Sequence, residues 1–279
     1  MSVSSEIAQV LGTEIASAEA EYRRLKQRET WRRRMLPCLG ILIGIGVWAA
    51  LVYGLKVPPF IAPSPFVVLE TLISKFDLLM NNLWPTVVEA IGGFIIGNVF
   101  AVALATAFVH RKTVSETFFP LVVLINSIPV VAKAPILVLL LGNGFAPKIA
   151  IAAVISFFPT LVNMVRGLES VNPQAMELMR VLSASKREVF MKLRLYNSLP
   201  YLFSALRISA SASVVGAIVG EWIGSNYGIG ALIIQATYAF DSALLYATVF
   251  VGSAFSVVFF MAISLAERLV VRWQPEAAA

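Results

Sequence analysis

Apolar residues in this chain run in long blocks broken by short polar punctuation, near 36–55, 86–109, 118–141, 148–167, 200–224 and 244–267. A helix needs about 20 such residues to cross about 30 Å of hydrocarbon. The pattern therefore predicts an all-α polytopic membrane protein with six transmembrane helices. Residues 172–200, between the fourth and fifth blocks, follow a different pattern. Leucines, valines and methionines alternate there with Glu177, Arg180, Lys186, Arg187, Glu188, Lys192 and Arg194, too much charge for a bilayer and too much apolar surface for a plain linker. Asn172 ahead of Pro173 reads as a helix start, because proline has no N–H to lose in a first turn. Ser185 and Glu188 have capping-box spacing. The segment is expected to form two short amphipathic helices at a membrane surface.

Proline and glycine mark the breaks. Pro58, Pro59, Pro63 and Pro65 cannot continue a helix, so an extended stretch follows the first span, with a short amphipathic helix near 66–80. Pro129 and Pro135 flank Lys133 in the third span and predict a broken helix. Irregular backbone at membrane depth survives against protein or a wet cavity, which places that span in the interior. Gly142, Asn143, Gly144 and Pro147 then reverse the chain. In the fifth span Ala205, Ser209, Ser213 and Ala217 form one helical row, with Ala212, Gly216 and Gly220 in the next. Small rows allow close helix approach, and lining a pathway is the competing reading.

Composition agrees, with 58% hydrophobic residues, 14% charged and a mean hydropathy of +0.82. The net charge of +6 is distributed unevenly. Of 22 Lys and Arg, 17 fall before the first span, in the second and fourth connections or after the last span, which places both termini in the cytoplasm. The excess then reflects orientation and contact with anionic lipid and is no sign of nucleic acid. The first 35 residues lack an apolar core and carry Arg32, Arg33 and Arg34, so they are expected to form a cytoplasmic helix and no removable signal. Residues 36–272 form the membrane domain, and 273–279 a cytoplasmic tail.

Chemistry narrows the function classes further. Lys133, Arg207 and Glu221 are charged within spans, each costing about 2.5–3.5 kcal/mol at a span's centre. Arg207 can snorkel to the headgroups. Glu221 suits a gate or lid contact, or a rim-exposed or hydrogen-bonded carboxylate, and Lys133 an anionic solute or a backbone carbonyl. A phosphate-binding Gly-x-x-x-x-Gly-Lys-Ser/Thr loop is absent, so ATP would have to be bound elsewhere. His110 is the single histidine and Cys38 the single cysteine, which excludes a His-Glu-x-x-His metalloprotease, a thiolate metal cluster and an intrachain disulfide. The span serines have no nearby base for nucleophilic catalysis. No catalytic, cofactor or metal site is expected.

The 172–200 segment also carries a resemblance. Glu177, Leu178 and Met179, then Ser183, Ala184 and Ser185, and the stretch from Leu193 to Leu199 and Pro200 resemble the Glu-Ala-Ala loop of binding-protein-dependent ABC importer permeases. Leu178 and Met179 replace the family's alanines, Ser183 its glycine and Tyr196 its first proline. Pro63-Ser64-Pro65, Ile128-Pro129, Ala134-Pro135, Gly142-Asn143-Gly144 and Gly228-Ile229-Gly230 resemble the nitrate, sulfonate and taurine class. The run from Val215 through Val219, Gly220, Glu221 and Trp222 is more similar to members serving pyrimidine precursors or riboflavin.

The resemblance implies a type I importer permease in the bacterial inner membrane, covering residues 36–272. Its partners would be two ATPase subunits that bind the ATP and magnesium, a second permease chain forming a homodimer, and an external solute-binding protein. Loop 170–199 would dock the ATPase through Glu177, Leu178, Met179, Ser183, Ala184, Ser185, Glu188, Leu199 and Pro200. Serine at the glycine position resists a left-handed bend, so a blunter turn is expected there. Pro129, Lys133, Pro135, Ser209, Ser213 and Glu221 are the candidates for the path or gate. A secondary transporter or channel is the alternative, predicting a mid-membrane carboxylate and an inverted repeat, neither evident in the sequence. A scaffold that binds an ATPase without moving solute is a third reading.

Overall fold

The computed structural model describes residues 35–271 continuously, with residues 22, 26, 28, 31 and 32 before them. Most of the expected N-terminal helix, including Arg33 and Arg34, and the tail from Arg272 lie outside the described residues. Over residues 35–271 eleven helices follow one another: α1 Met35–Gly54, α2 Pro65–Ser74, α3 Phe76–His110, α4 Lys112–Ser127, α5 Val130–Leu141, α6 Phe145–Glu169, α7 Pro173–Val181, α8 Lys186–Glu188, α9 Leu195–Glu221, α10 Ile229–Tyr238 and α11 Ser242–Val270. A π-helical turn, Val189–Arg194, joins α8 to α9. Among the described residues, five helices are long and apolar enough to cross a membrane, or six when α4 and α5 are one bent span.

Helix α1 belongs to one compact unit and residues 68 onward to another. The second unit is built on α6, which packs along α3 on one side and α9 on the other. Small residues make this packing close. A Cβ on Gly93 would fall 2.7 Å from the Ile149 carbonyl oxygen, and one on Gly216 2.7 Å from the Ala152 Cα. Hydroxyls knit the same seams. Ser209 donates to the Ser156 carbonyl at 2.8 Å, Ser209 and Thr160 share a hydrogen bond of 2.8 Å, and Thr160 donates to Asn98. At one end Ala101, Ala105, Phe108, Leu161, Met164 and Leu168 form a buried apolar cluster. Helix α11 lies on α9 and α10, and its Phe259 meets Phe94 edge-on with ring centroids 5.0 Å apart.

Three expectations change. The second span begins at Phe76, ten residues ahead of the apolar block, and runs through Pro85. The helix near 66–80 therefore ends at Ser74. The third span is broken as expected, with α4 and α5 meeting at 100° where Ile128 and Pro129 take extended dihedrals. It does not sit in the interior of the chain: no residue of α4 is buried, and in α5 only Ala134 is. The bend lays the pair along the flank of α3, α6 and α9, so one side stays open.

Candidate functional site

The 172–200 segment begins as the sequence indicates. Asn172 accepts the Gln174 N–H at 2.9 Å, with Pro173 in the first turn of α7. At the other end of α7, Ser183 adopts φ 52°, which corrects the expected blunter turn. Its N–H bonds the Arg180 carbonyl and the Ala184 N–H bonds the Met179 carbonyl, both at 2.9 Å. This is a Schellman closure with serine in the left-handed position usually given to glycine. The sharp bend is kept, and serine bears a conformational cost of about 1 kcal/mol.

Ser185 then starts the next helix. Its hydroxyl accepts the Glu188 N–H, and Glu188 accepts the Ser185 N–H at 2.9 Å, completing the capping box. The expected second short helix is not separate. After three residues α8 widens into the π turn and continues as α9 through Leu199 and Pro200, so that residues 186–221 form one 36-residue span candidate. Pro200 deletes one donor without ending the helix.

This continuity ties the segment to the bundle. Arg194 donates to the Leu168 carbonyl at 3.2 Å, and Asn197 donates to the Gly167 and Ser170 carbonyls at 3.3 and 3.1 Å. Phe190 in the π turn faces His110 at the end of α3, with centroids 4.8 Å apart. Helix α7 itself has no buried residue. Leu178, Val181 and Leu182 are 59, 81 and 66% exposed, and Glu177 is exposed beside them while Met179 is half-buried. The result is a small apolar patch with acidic and basic neighbours on a helix capped at both ends.

At the opposite end of α9, about 40 Å away at 1.5 Å per residue, Glu221 is buried with 1% exposure. The reading of a hydrogen-bonded carboxylate holds, and the rim does not. Thr86 donates to Glu221 Oε1 at 2.6 Å, and the Gly230 N–H donates to Oε2 at 2.5 Å. The Ile229 N–H bonds Thr86 at 2.9 Å and the Gly228 N–H bonds Asn82 at 3.1 Å. Gly228 has φ 114°, and a Cβ on Gly230 would fall 2.9 Å from Glu221 Cβ. The Gly228-Ile229-Gly230 run thus lets the N-terminus of α10 rest on the carboxylate. Lys148 of α6 and Glu89 of α3, which the sequence reading did not place in the site, are buried beside it. Both lie in apolar stretches, and an ionisable residue at such a position is the signal that could have found them.

The remaining path candidates are not gathered. Ser209 and Ser213 are fully buried, and their hydroxyls are spent on carbonyls of Ser156 and Ala210, so their placement supports helix packing and gives no support to a path. Pro129 and Pro135 shape the bent α4–α5 pair. Lys133 is half-buried in that pair. Arg207 does not simply snorkel: it donates to Glu267 of α11 at 2.9 Å and to Ser204 at 3.2 Å. An apolar groove of about 630 Å³ runs between α3, α4 and α6, lined by Ile96, Phe100, Val122, Phe157 and Phe158 with Asn126 as a polar neighbour.

Known proteins give this geometry a context. The model of the binding-protein-dependent transport system inner membrane component family matches residues 97–274. The formylaminopyrimidine transport permease protein ThiX of Halalkalibacterium halodurans is 33% identical over 217 residues, covering 77% of this chain and 87% of its own. The riboflavin transport system permease protein RibX of Chloroflexus aurantiacus is 30% identical over 250 residues, covering 89 and 93%. The putative aliphatic sulfonates transport permease protein SsuC of Bacillus subtilis is 24% identical over 258 residues, covering 89 and 90%. Among solved structures, an inward-facing MetNI methionine ABC transporter chain matches with a TM-score of 0.60 at 20% identity, over 71% of this chain and 97% of that one. The shared fold is that of type I ABC importer permeases. With a match spanning well over half its length, this chain belongs to the binding-protein-dependent transport system inner membrane component family and is an ABC importer permease subunit.

Proposed function

We propose that α7 and the capped turn behind it are the seat of a cytoplasmic ATPase, and that the chain passes the ATPase's movement to its spans through the π turn and α9. The observation that carries this reading is the exposed patch of Leu178, Val181 and Leu182 on a helix otherwise held by caps. Apolar side chains exposed on a short rigid helix fit a groove in a partner, and a continuous helix behind them is a lever. Glu177, Met179, Ser183, Ala184, Ser185 and Glu188 position or flank the patch. Leu199 and Pro200 lie within the lever itself.

In this reading a second copy packs against the open side of α4 and α5, an external binding protein delivers solute, and ATP and magnesium sit in two ATPase subunits. Both termini lie on the ATPase side. Two of the relatives at 30–33% identity carry pyrimidine and riboflavin names, whereas the sulfonate relative stands at 24%. The solute class this favours is a nitrogen heteroaromatic. Proteoliposomes holding the permease, its ATPase and its binding protein test the choice. ATP-dependent uptake of a labelled aminopyrimidine or of riboflavin, with no competition from an alkanesulfonate, is the expected result. Uptake of the alkanesulfonate alone would reverse the assignment.

A further inference from the structure

Three ionisable side chains are buried where α3, α6, α9 and α10 meet: Glu89, Lys148 and Glu221, at 1, 6 and 1% exposure. Fully ionised, they would carry a net charge of −1. Glu221 is well served, with a hydroxyl donor on one oxygen, a backbone N–H on the other, and the positive end of the ten-residue α10 behind it. Lys148 donates to Ser225 at 2.9 Å. Glu89 is poorly served. Its Oε1 lies 3.9 Å from the Lys148 ammonium, beyond hydrogen-bond length, and its buried Oε2 has no partner.

An ionised carboxylate held this way, next to a second carboxylate, is costly, and two carboxyl groups sharing a site do not both ionise freely. A bound metal ion would relieve the charge only with several more oxygen ligands. Among the described residues no group of three or more Asp, Glu, His or Cys gathers. A proton needs a single oxygen. The cluster also borders a partly open cleft of about 180 Å³, lined by Pro85, Glu89, Asn143, Lys148, Ser225 and Tyr227 among others.

We propose that Glu89 is a proton-binding site, which takes one proton from solvent through this cleft and returns it by the same way. The proton adds to the free Oε2, taking the carboxyl from −1 to 0. The titratable and charged groups facing Glu89 are Lys148 from α6 and Glu221 from α9, with Tyr227, in the turn before α10, lining the same cleft. With the proton in place, one neutral acid lies beside one ionised, fully bonded carboxylate. With it gone, the two carboxylates repel and the junction of α3, α9 and α10 loosens. This assignment concerns the chain by itself and does not depend on the transport reading.

Infrared difference spectroscopy on the purified full chain in lipid nanodiscs tests it. The wild type should show the carbonyl stretch of a protonated carboxylic acid at neutral pH, where exposed carboxyls are ionised. The band should shift in heavy water and disappear on alkaline titration. Glu89→Gln, nearly the same shape and always neutral, should lose the band, and the distant Glu267→Gln should keep it. A wild type without the band overturns the proposal whether or not the variant folds. A band that survives Glu89→Gln, or that fails to exchange with heavy water, also overturns it.

Discussion

The carboxylate of Glu221, the last residue of α9, is held by the backbone N–H of Gly230 in the first turn of α10, at 2.5 Å. The contact requires a residue without a side chain at the amide's own position, since a Cβ there would meet Glu221 Cβ at 2.9 Å. Gly230→Ala should therefore separate α10 from α9 and cost about 1–3 kcal/mol. A thermal melt of the detergent-solubilised chain checks this. Unchanged melting would show that α10 is not anchored through Glu221.

Ser183 pays for its left-handed conformation in a turn whose hydrogen bonds match a glycine closure. Ser183→Gly should stabilise the 172–200 segment by about 1 kcal/mol, read as slower amide exchange at Ala184 and Ser185. Ser183→Val should do the reverse and loosen the same amides.

Arg207 and Glu267 join α9 to α11 at 2.9 Å with 33 and 20% of their side chains exposed. Removing either partner strands the other charge, so Arg207→Met or Glu267→Gln alone should destabilise more than the double variant. A double-mutant cycle on melting should return a coupling of about 0.5–3 kcal/mol. Strict additivity would mean that the pair contributes nothing.

Asp241 caps α11 through the Leu244 N–H at 3.0 Å and accepts a 2.7 Å hydrogen bond from Lys75. The lysine, the capping amide and the attractive charge hold its carboxyl below the ordinary aspartate range. A depressed folded-state value contributes stability above the unfolded value of about 3.9, and that contribution is lost as pH falls through the folded value. Both side chains are more than a third exposed, which limits the gain to about 1 kcal/mol or less. The stability difference between wild type and Asp241→Asn should be constant near neutral pH and shrink below about pH 4. A difference that grows on acidification would contradict the ion pair.

Local features were the legible ones. Asn172 with Pro173, and Ser185 with Glu188, act within one helical turn, so their spacing alone announced the caps found at 2.9 Å. The break at Pro129 was legible for the same reason. The continuation of α8 into α9 was not, because a π turn has no residue signature and Pro200 suggested a fresh start. The early beginning of α3 was hidden by Asp77, Asn81 and Asn82, which break the apolar pattern without breaking the helix. The Glu89, Lys148 and Glu221 cluster joins residues 59 and 73 positions apart in the chain, and only the packing of α3, α6 and α9 brings them together.

The most direct test of the account is uptake by the reconstituted permease, ATPase and binding protein, comparing wild type with Glu177→Arg on the exposed face of α7. The variant should lose ATPase co-purification and ATP-dependent uptake together while its melting temperature is unchanged. Uptake that persists in the variant, and that an ion gradient drives without ATP, would contradict the account.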